Sequence, residues 1–390
     1  MIYLDNNATT KLDSEVLQSM LPYMTEMYGN ASSIQHKMGR EANAAIETSR
    51  NAIANYLGCT SKEIIFTSGS TESINFVIKG IYDRYKRVGN HIITSKTEHK
   101  AVLSTCAYLE KKGAKVTYLN VDTNGQINLE ELKNSICEET ILVTLMSANN
   151  ETGIELPISE IARLCKEKDV LFFCDATQSI GKSTSHLQLD EIDILCFSSH
   201  KIYGPQGVGA LYIKRKPTPI QLEPLIIGGS QENKWRAGTY NTAAVAGFGK
   251  AICLLESIKS AEIELLRDYF ENSILQKIED CDIHGKDKAR IVNTSNIHFK
   301  YVKSDELLSK LYNVAASAGS ACVSGDRSPS HVIKAMTNND DIALCSVRFS
   351  LSKYTTRSEI DEAITNIISA VNEIREQSPI WQLYKDGLIE

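Results

Sequence analysis

A mostly apolar, strand-like run from Ile192 to Phe197 leads into Ser198-Ser199-His200-Lys201, and Ile202-Tyr203-Gly204-Pro205-Gln206-Gly207 leads out through a turn. This places two hydroxyls, an imidazole and a primary amine at the end of a buried strand. Open α/β sheets keep their chemistry at such ends. A lysine there can form a Schiff base with an aldehyde cofactor, and neighbouring Ser and His can hold an anionic group. A lone Ser-x-His-Lys is more often a surface turn, so the rest of the chain has to decide.

Outward from Lys201, strands and helices alternate. The pattern reads strand 91–95, helix 98–112, strand 115–120, helix 128–137, strand 141–147, helix 157–167 and strand 170–174, and strands 193–198 and 208–214 complete it. Residues 141–146 and 170–174 are largely apolar, as strands covered on both faces are. The alternation predicts an α/β fold with a mostly parallel sheet flanked by helices. Upstream, a short strand over 64–66 meets Thr67-Ser68-Gly69-Ser70-Thr71-Glu72, which opens an amphipathic helix through Ile74, Phe76, Val77 and Ile81. Glycine and hydroxyls at a helix start can form an anion cup from free N–H groups and the positive helix end. N-capping is the commoner use of such residues, and the company of Lys201 favours phosphate. Helices over 13–28 and 39–57 come earlier, the second with Ala42, Ala45, Ile46, Ile53 and Leu57 inward.

Near Leu254 the pattern changes to a helix over 255–279, a strand over 295–299, a helix over 304–311, a strand over 346–350 and a helix over 357–376. This predicts a smaller α+β domain, 255–390, which also recruits residues 1–13, beside a large domain of 14–254. The 390 residues suffice for two cores. A net charge of -6 carries no basic footprint, so no direct nucleic-acid partner is expected. No apolar run approaches the roughly 20 residues that span a bilayer. The N-terminus lacks the basic and long apolar regions of a signal peptide, so a cytoplasmic protein is expected.

The ten cysteines have no Cys-x-x-Cys pair or metal-site spacing. Cys174 and Cys196 sit in strand-like runs and read as small buried hydrophobes. Cys322 differs: Gly319-Ser320-Ala321-Cys322-Val323-Ser324-Gly325 surrounds it with small, turn-forming residues that leave a thiol accessible. Asp175, closing the strand over 170–174, can keep a pyridinium nitrogen protonated or simply cap a helix, and Gln178 can donate to a ring phenolate. His99 follows a strand and opens a helix, where an imidazole can stack on a planar ring and move protons. Arg236 and Arg348 both suit a substrate carboxylate, and the strand context of Arg348 favours it.

Together these motifs resemble those of the cysteine desulfurases, pyridoxal-phosphate enzymes of the aminotransferase class V group. The resemblance spans essentially the whole chain. It rests on residues 3–10, 29–33, 66–73, 97–102, 149–153, 175–178, 198–205, 319–322 and 348–351, all in the family's order. Gly319-Ser320-Ala321-Cys322 is similar to the group I branch, which includes the bacterial iron–sulfur and nitrogen-fixation types. The implied fold is the fold type I transferase, with a large seven-stranded sheet.

The resemblance implies that Lys201 holds the cofactor and shuttles the Cα proton, while Ser70, Thr71, Ser198 and His200 bind its phosphate. Thr239 is implied to reach the phosphate of the partner subunit in a homodimer. Asp175 and Gln178 tune the ring, His99 stacks on it, and Asn150 and Arg348 fix the carboxylate of L-cysteine. Cys322 takes the sulfur as a persulfide, and alanine is released. The persulfide then passes to an acceptor protein, for iron–sulfur cluster assembly or for tRNA or DNA sulfur modification, and Cys322 can meet a cluster transiently. A selenocysteine lyase or another class V enzyme is the alternative, and a non-catalytic scaffold a further one. Ser70 stands where many relatives have alanine. Residues 378–387 look like the housekeeping bacterial form, but the further tail that docks an iron–sulfur scaffold does not follow. That departure leaves room for a dedicated sulfur-modification partner, as in tRNA thiolation or DNA phosphorothioation.

Overall fold

Short runs of β-branched and aromatic residues between polar turns become strands here, and longer Ala- and Leu-containing stretches become helices. The computed structural model describes residues 1–184, 189–319 and 328–389. Its strands are β1 (Ile2–Tyr3), β2 (Ile64–Thr67), β3 (His91–Ser95), β4 (Lys115–Leu119), β5 (Thr140–Met146), β6 (Leu171–Asp175), β7 (Ile194–Ser198), β8 (Gly209–Ile213), β9 (Cys281–Ile283), β10 (Thr294–Phe299), β11 (Val314–Ala315) and β12 (Ser346–Ser350). Its helices are α1 (Ser14–Met24), α2 (Lys37–Leu57), α3 (Ser70–Tyr85), α4 (Lys100–Glu110), α5 (Leu129–Ser135), α6 (Ile158–Glu167), α7 (Thr242–Leu254), α8 (Ser260–Lys277), α9 (Ser304–Lys310), α10 (His331–Thr337), α11 (Asp340–Leu344), α12 (Arg357–Glu376) and α13 (Pro379–Lys385).

Seven strands form one sheet in the order β2-β8-β7-β6-β5-β3-β4. Its pairings are parallel except those of β8, which runs antiparallel to β2 and β7. The other strands therefore deliver their C-terminal ends to one edge. Strands β3, β5, β7 and β8 are buried along their whole length, as a sheet covered on both faces requires. The two-residue period sends Phe172 into the core on one face, with Val143, Phe197 and residues of α2, α6 and α7, and Phe173 into the core on the other, with Ile92 and residues of α3 and α4. Each such buried phenylalanine contributes roughly 1.5–3 kcal/mol. A second body of structure has its own core. There β9-β10-β12 form an antiparallel sheet and β1 pairs with β11, packed against α8 and α12 through Phe270, Phe299, Phe349 and Ile367.

Two departures from the sequence pattern have clear causes. The expected helix over 13–28 ends at Met24, where the Thr25 N–H turns back to the Pro22 carbonyl and Pro22 offers no N–H to the last turn. Helix α7 carries no amphipathic stripe, because it is buried almost all round between α1 and α2. Small residues permit that: a Cβ on Gly249 would come within 2.7 Å of the Ser49 Cα, and one on Gly247 within 2.7 Å of Met20. No helix among the described residues is long and apolar enough to cross a membrane.

Candidate active site

The strand ends of the large sheet surround a cavity of about 470 Å³, and residues 7–9 and Arg348 close it from the second body. Lys201 lies in the single 3-10 turn that follows β7. Its Nζ donates to the carbonyls of Asn7 (2.5 Å) and Ala8 (2.7 Å), so the amine is held by two backbone oxygens. Asp175 is the last residue of β6, and its Oδ1 accepts from the Thr177 N–H (3.0 Å) and the Thr177 hydroxyl.

The anion cup is built where β2 turns into α3. Gly69 holds φ 150°, which a side chain disfavours, and a Cβ on Gly209 would meet the Gly69 Cα at 2.7 Å. The two backbones thus approach too closely for any side chain at position 209. Beside them the Ser70 N–H donates to Ser198 Oγ (2.8 Å), and the two hydroxyls are also 2.8 Å apart. Thr177 Oγ1 lies 2.6 Å from Ser70 Oγ, and Thr71 lines the same wall. His200 Nδ1 lies 3.1 Å from Thr9 Oγ1. Burial, with Lys201 and Lys182 nearby, lowers the His200 pKa to about 4, so the imidazole is neutral at pH 7.

His99 caps α4, its Nδ1 accepting the Ala101 N–H (3.1 Å). The proton of the neutral ring is therefore on Nε2. Burial lowers the His99 pKa, which keeps the ring neutral. The adjacent Glu98 is fully buried and accepts the Met146 N–H (2.8 Å), and burial pushes its pKa well above the carboxylate range.

Arg348 is 2% exposed in the middle of β12. Its Nη2 pairs with Asp5 (2.6 Å) and its Nη1 donates to the Asn150 carbonyl (2.9 Å), while Nε has no hydrogen-bond partner among the described residues. Gln178 donates from Nε2 to the Asn7 carbonyl (3.0 Å) and accepts at Oε1 from Lys182 (2.7 Å).

The cavity brings together Ser70, Thr71, His99, Asn150, Asp175, Gln178, Ser198, His200, Lys201 and Arg348. Thr239 does not line it. It faces a smaller neighbouring cavity that shares Ser68 and Gly207 with the first. Arg236, the other candidate arginine, is held instead by Glu72 (2.9 Å). Cys322 lies outside the described residues. Cys174 and Cys196 are fully buried, and burial raises both thiols well above the usual 9. Asn7 and Thr177 are cavity residues to which the sequence reading assigned no role; the polar turn over residues 5–10 and the Asp-Ala-Thr-Gln run were the available signals. Lys182 follows Gln178 by four residues through a run of turns.

This donor set fits pyridoxal phosphate. Hydroxyls and the first turn of the 16-residue α3 suit a phosphate dianion, Asp175 suits a ring nitrogen, and Lys201 suits an aldehyde carbon. A parallel sheet carrying those groups on one edge defines a pyridoxal-phosphate enzyme of fold type I. The aminotransferase class-V model matches residues 2–363. The cysteine desulfurase IscS of Pasteurella multocida (strain Pm70) is 44% identical over 392 aligned positions, covering 99% of this chain and 96% of that protein. A solved structure described as a NifS-like protein superposes with a TM-score of 0.87 at 37% identity, over 95% of this chain and 99% of the other. One described as SspA in complex with cysteine gives a TM-score of 0.82 at 35% identity, over 91% of this chain and the whole of that one. The chain belongs to the aminotransferase class-V family, and within it to the cysteine desulfurases.

Proposed function

We propose that this enzyme removes sulfur from L-cysteine, leaving L-alanine and a persulfide on Cys322. The observation that carries the reading is the shared cavity of Lys201, Asp175, the Ser70–Ser198–Thr177 hydroxyl cup and Arg348. The SspA structure described as holding cysteine supports the substrate class. When bound, pyridoxal phosphate supplies the electron sink that makes the substrate's Cα proton acidic. Ser70, Thr71, Ser198 and His200 hold its phosphate, and Asp175 keeps a proton on its ring nitrogen. Lys201 anchors the cofactor and moves the proton at the substrate Cα, with the Asn7 and Ala8 carbonyls setting where its amine rests. His99 presents its Nε2 proton to the cavity. Arg348 seats the substrate carboxylate, and Asp5 and the Asn150 carbonyl prevent the guanidinium from swinging away.

Cys322 Sγ takes the substrate sulfur: an S–S bond forms, the Cβ–S bond breaks, and a proton replaces sulfur on Cβ. In this reading residues 14–254 bind the cofactor, and 1–13 with 255–390 bring Arg348 and Cys322 to it. The enzyme works in the cytoplasm as a homodimer in which Thr239 reaches the partner's phosphate site. It passes the persulfide to an acceptor protein, either an iron–sulfur scaffold or a sulfur-modification enzyme.

The test is alanine and sulfide release from L-cysteine with a reductant, for wild type and Cys322→Ala. The variant should keep the visible absorption of the cofactor and lose both products by roughly 10²-fold or more. Sulfide release equal to wild type would show that another group accepts the sulfur.

A further inference from the structure

Lys182 is a buried charge-bearing side chain next to the cavity that the reaction above leaves without work. It is 6% exposed, and among the described residues no carboxylate pairs with it. The charged groups that act on it are the cations Lys201 and Arg348. Burying an amine there is unfavourable unless its hydrogens are used. They are: Nζ donates to Gln178 Oε1 at 2.7 Å and to Asn7 Oδ1 at 3.3 Å. Burial first, then the two neighbouring cations, push its pKa well below the usual 10.5. Either protonation state of the amine can still make both donations.

A primary amide has two faces, one accepting and one donating. Lys182 occupies the accepting face of Gln178, and one Nε2 hydrogen goes to the Asn7 carbonyl at 3.0 Å. What remains for the cavity is the second Nε2 hydrogen. We infer that Lys182 is a positioning residue that locks the Gln178 amide with its N–H toward the cavity, making it an obligate donor to the oxygen of the cofactor ring. Asn7 completes the clamp. Its carbonyl is shared by Gln178 and Lys201, and its side-chain oxygen is shared by Lys182 and Asn293. The backbone of Lys182 is itself tied to the second body, through the Val292 N–H (3.0 Å). The orientation of one amide just beyond the end of β6 is thereby set in part from the second body.

This inference rests on the reading that Gln178 faces the ring oxygen, and the experiment separates the two. The visible absorption band of the bound cofactor is titrated with pH in wild type, Gln178→Leu, Lys182→Met and the double variant. A donor to the ring oxygen stabilises its negative charge, so losing the donor makes that oxygen hold a neighbouring proton more tightly. The midpoint should rise by about one pH unit in Gln178→Leu and in the same direction in Lys182→Met. Adding Lys182→Met to Gln178→Leu should then change nothing further, because the amide through which Lys182 acts is gone. An equal shift from Lys182→Met in both backgrounds would mean that Lys182 acts through its own charge and would overturn the proposal. A shift in Gln178→Leu with none in Lys182→Met would overturn it as well. No shift in Gln178→Leu would overturn the placement of Gln178 and the proposal together. Lys182→Arg, which keeps the donor, is the second variant should the methionine protein not fold. A wild-type midpoint supports the clamp, and a raised one refutes it.

Discussion

The two sides of the cavity are built on different principles. On the sheet side, the backbones of Asp175, Ser198, His99 and Lys201 take their places because strands end at or just before them, although the Lys201 amine is then held by the Asn7 and Ala8 carbonyls. On the other side, Arg348 and Asn7 reach the cavity from a separate core, held by hydrogen bonds between residues far apart in the chain. Asn7 donates to Thr294 Oγ1 (2.8 Å) and the Asn150 carbonyl (3.2 Å), and Arg348 is fixed by Asp5. In the function proposed above, the first side works on the cofactor and the second seats the substrate. Damage to the two should therefore look different.

The largest effect expected is on the sheet side. Asp175→Asn keeps the shape but removes the charge opposite the ring nitrogen, and kcat should fall roughly 10²–10³-fold with KM little changed. Arg348→Lys on the other side should raise KM for L-cysteine by roughly 10–100-fold, since a lysine cannot reproduce the fork held by Asp5 and Asn150. Steady-state kinetics on both variants checks the contrast, and a KM effect from Asp175→Asn would break it. Next in size is Gly249→Ala. Its Cβ would press on the Ser49 backbone, and overpacking there should cost about 1–3 kcal/mol in a denaturant melt. No change in midpoint would show that α2 and α7 can separate freely.

The last effect is a pH dependence to which one histidine from each body of structure contributes. His200 and His284 are both lowered to about 4, His200 by burial and the nearby lysines, His284 by burial and then His298. The unfolded chain, with imidazoles near 6.5, therefore binds protons before the folded one does. Stability without cofactor should be full above about pH 6.5 and fall toward pH 4, by at most about 1.4 kcal/mol per pH unit for each histidine. Urea midpoints across that range for His200→Asn and His284→Asn should each flatten part of the slope. A slope untouched by either substitution would assign it to other groups.

The asymmetry also governs what the sequence discloses. Groups at strand ends are legible, because an apolar run followed by Asp175 or by Ser198-Ser199-His200-Lys201 states both the element and the chemistry. Arg348 could be chosen over Arg236 from strand context alone. Helix α7 was not legible, since a helix buried on all sides has no stripe to read. The clamp of Asn7, Gln178 and Lys182 was not legible either. Asn7 is separated from the other two by more than 170 residues, and only the folded chain shows that they meet. Thr239 marks the same limit from the other direction: its motif is readable, but the cavity it faces in a single chain is not the one that holds Lys201.

The pairing of the N-terminal turn with β12 has a consequence for the timing of synthesis. Asn6 donates to the Ser350 carbonyl across 344 residues of sequence. At roughly 5–20 residues per second, the ribosome needs about 17–70 s to supply the second partner after the first has emerged. The large sheet can collapse in that interval, but Asn7 and Ala8 cannot take their final seats under Lys201 until the last fifth of the protein arrives. A nascent chain should therefore hold the phosphate cup well before it holds a finished active centre, and cofactor capture becomes one of the last events in its maturation.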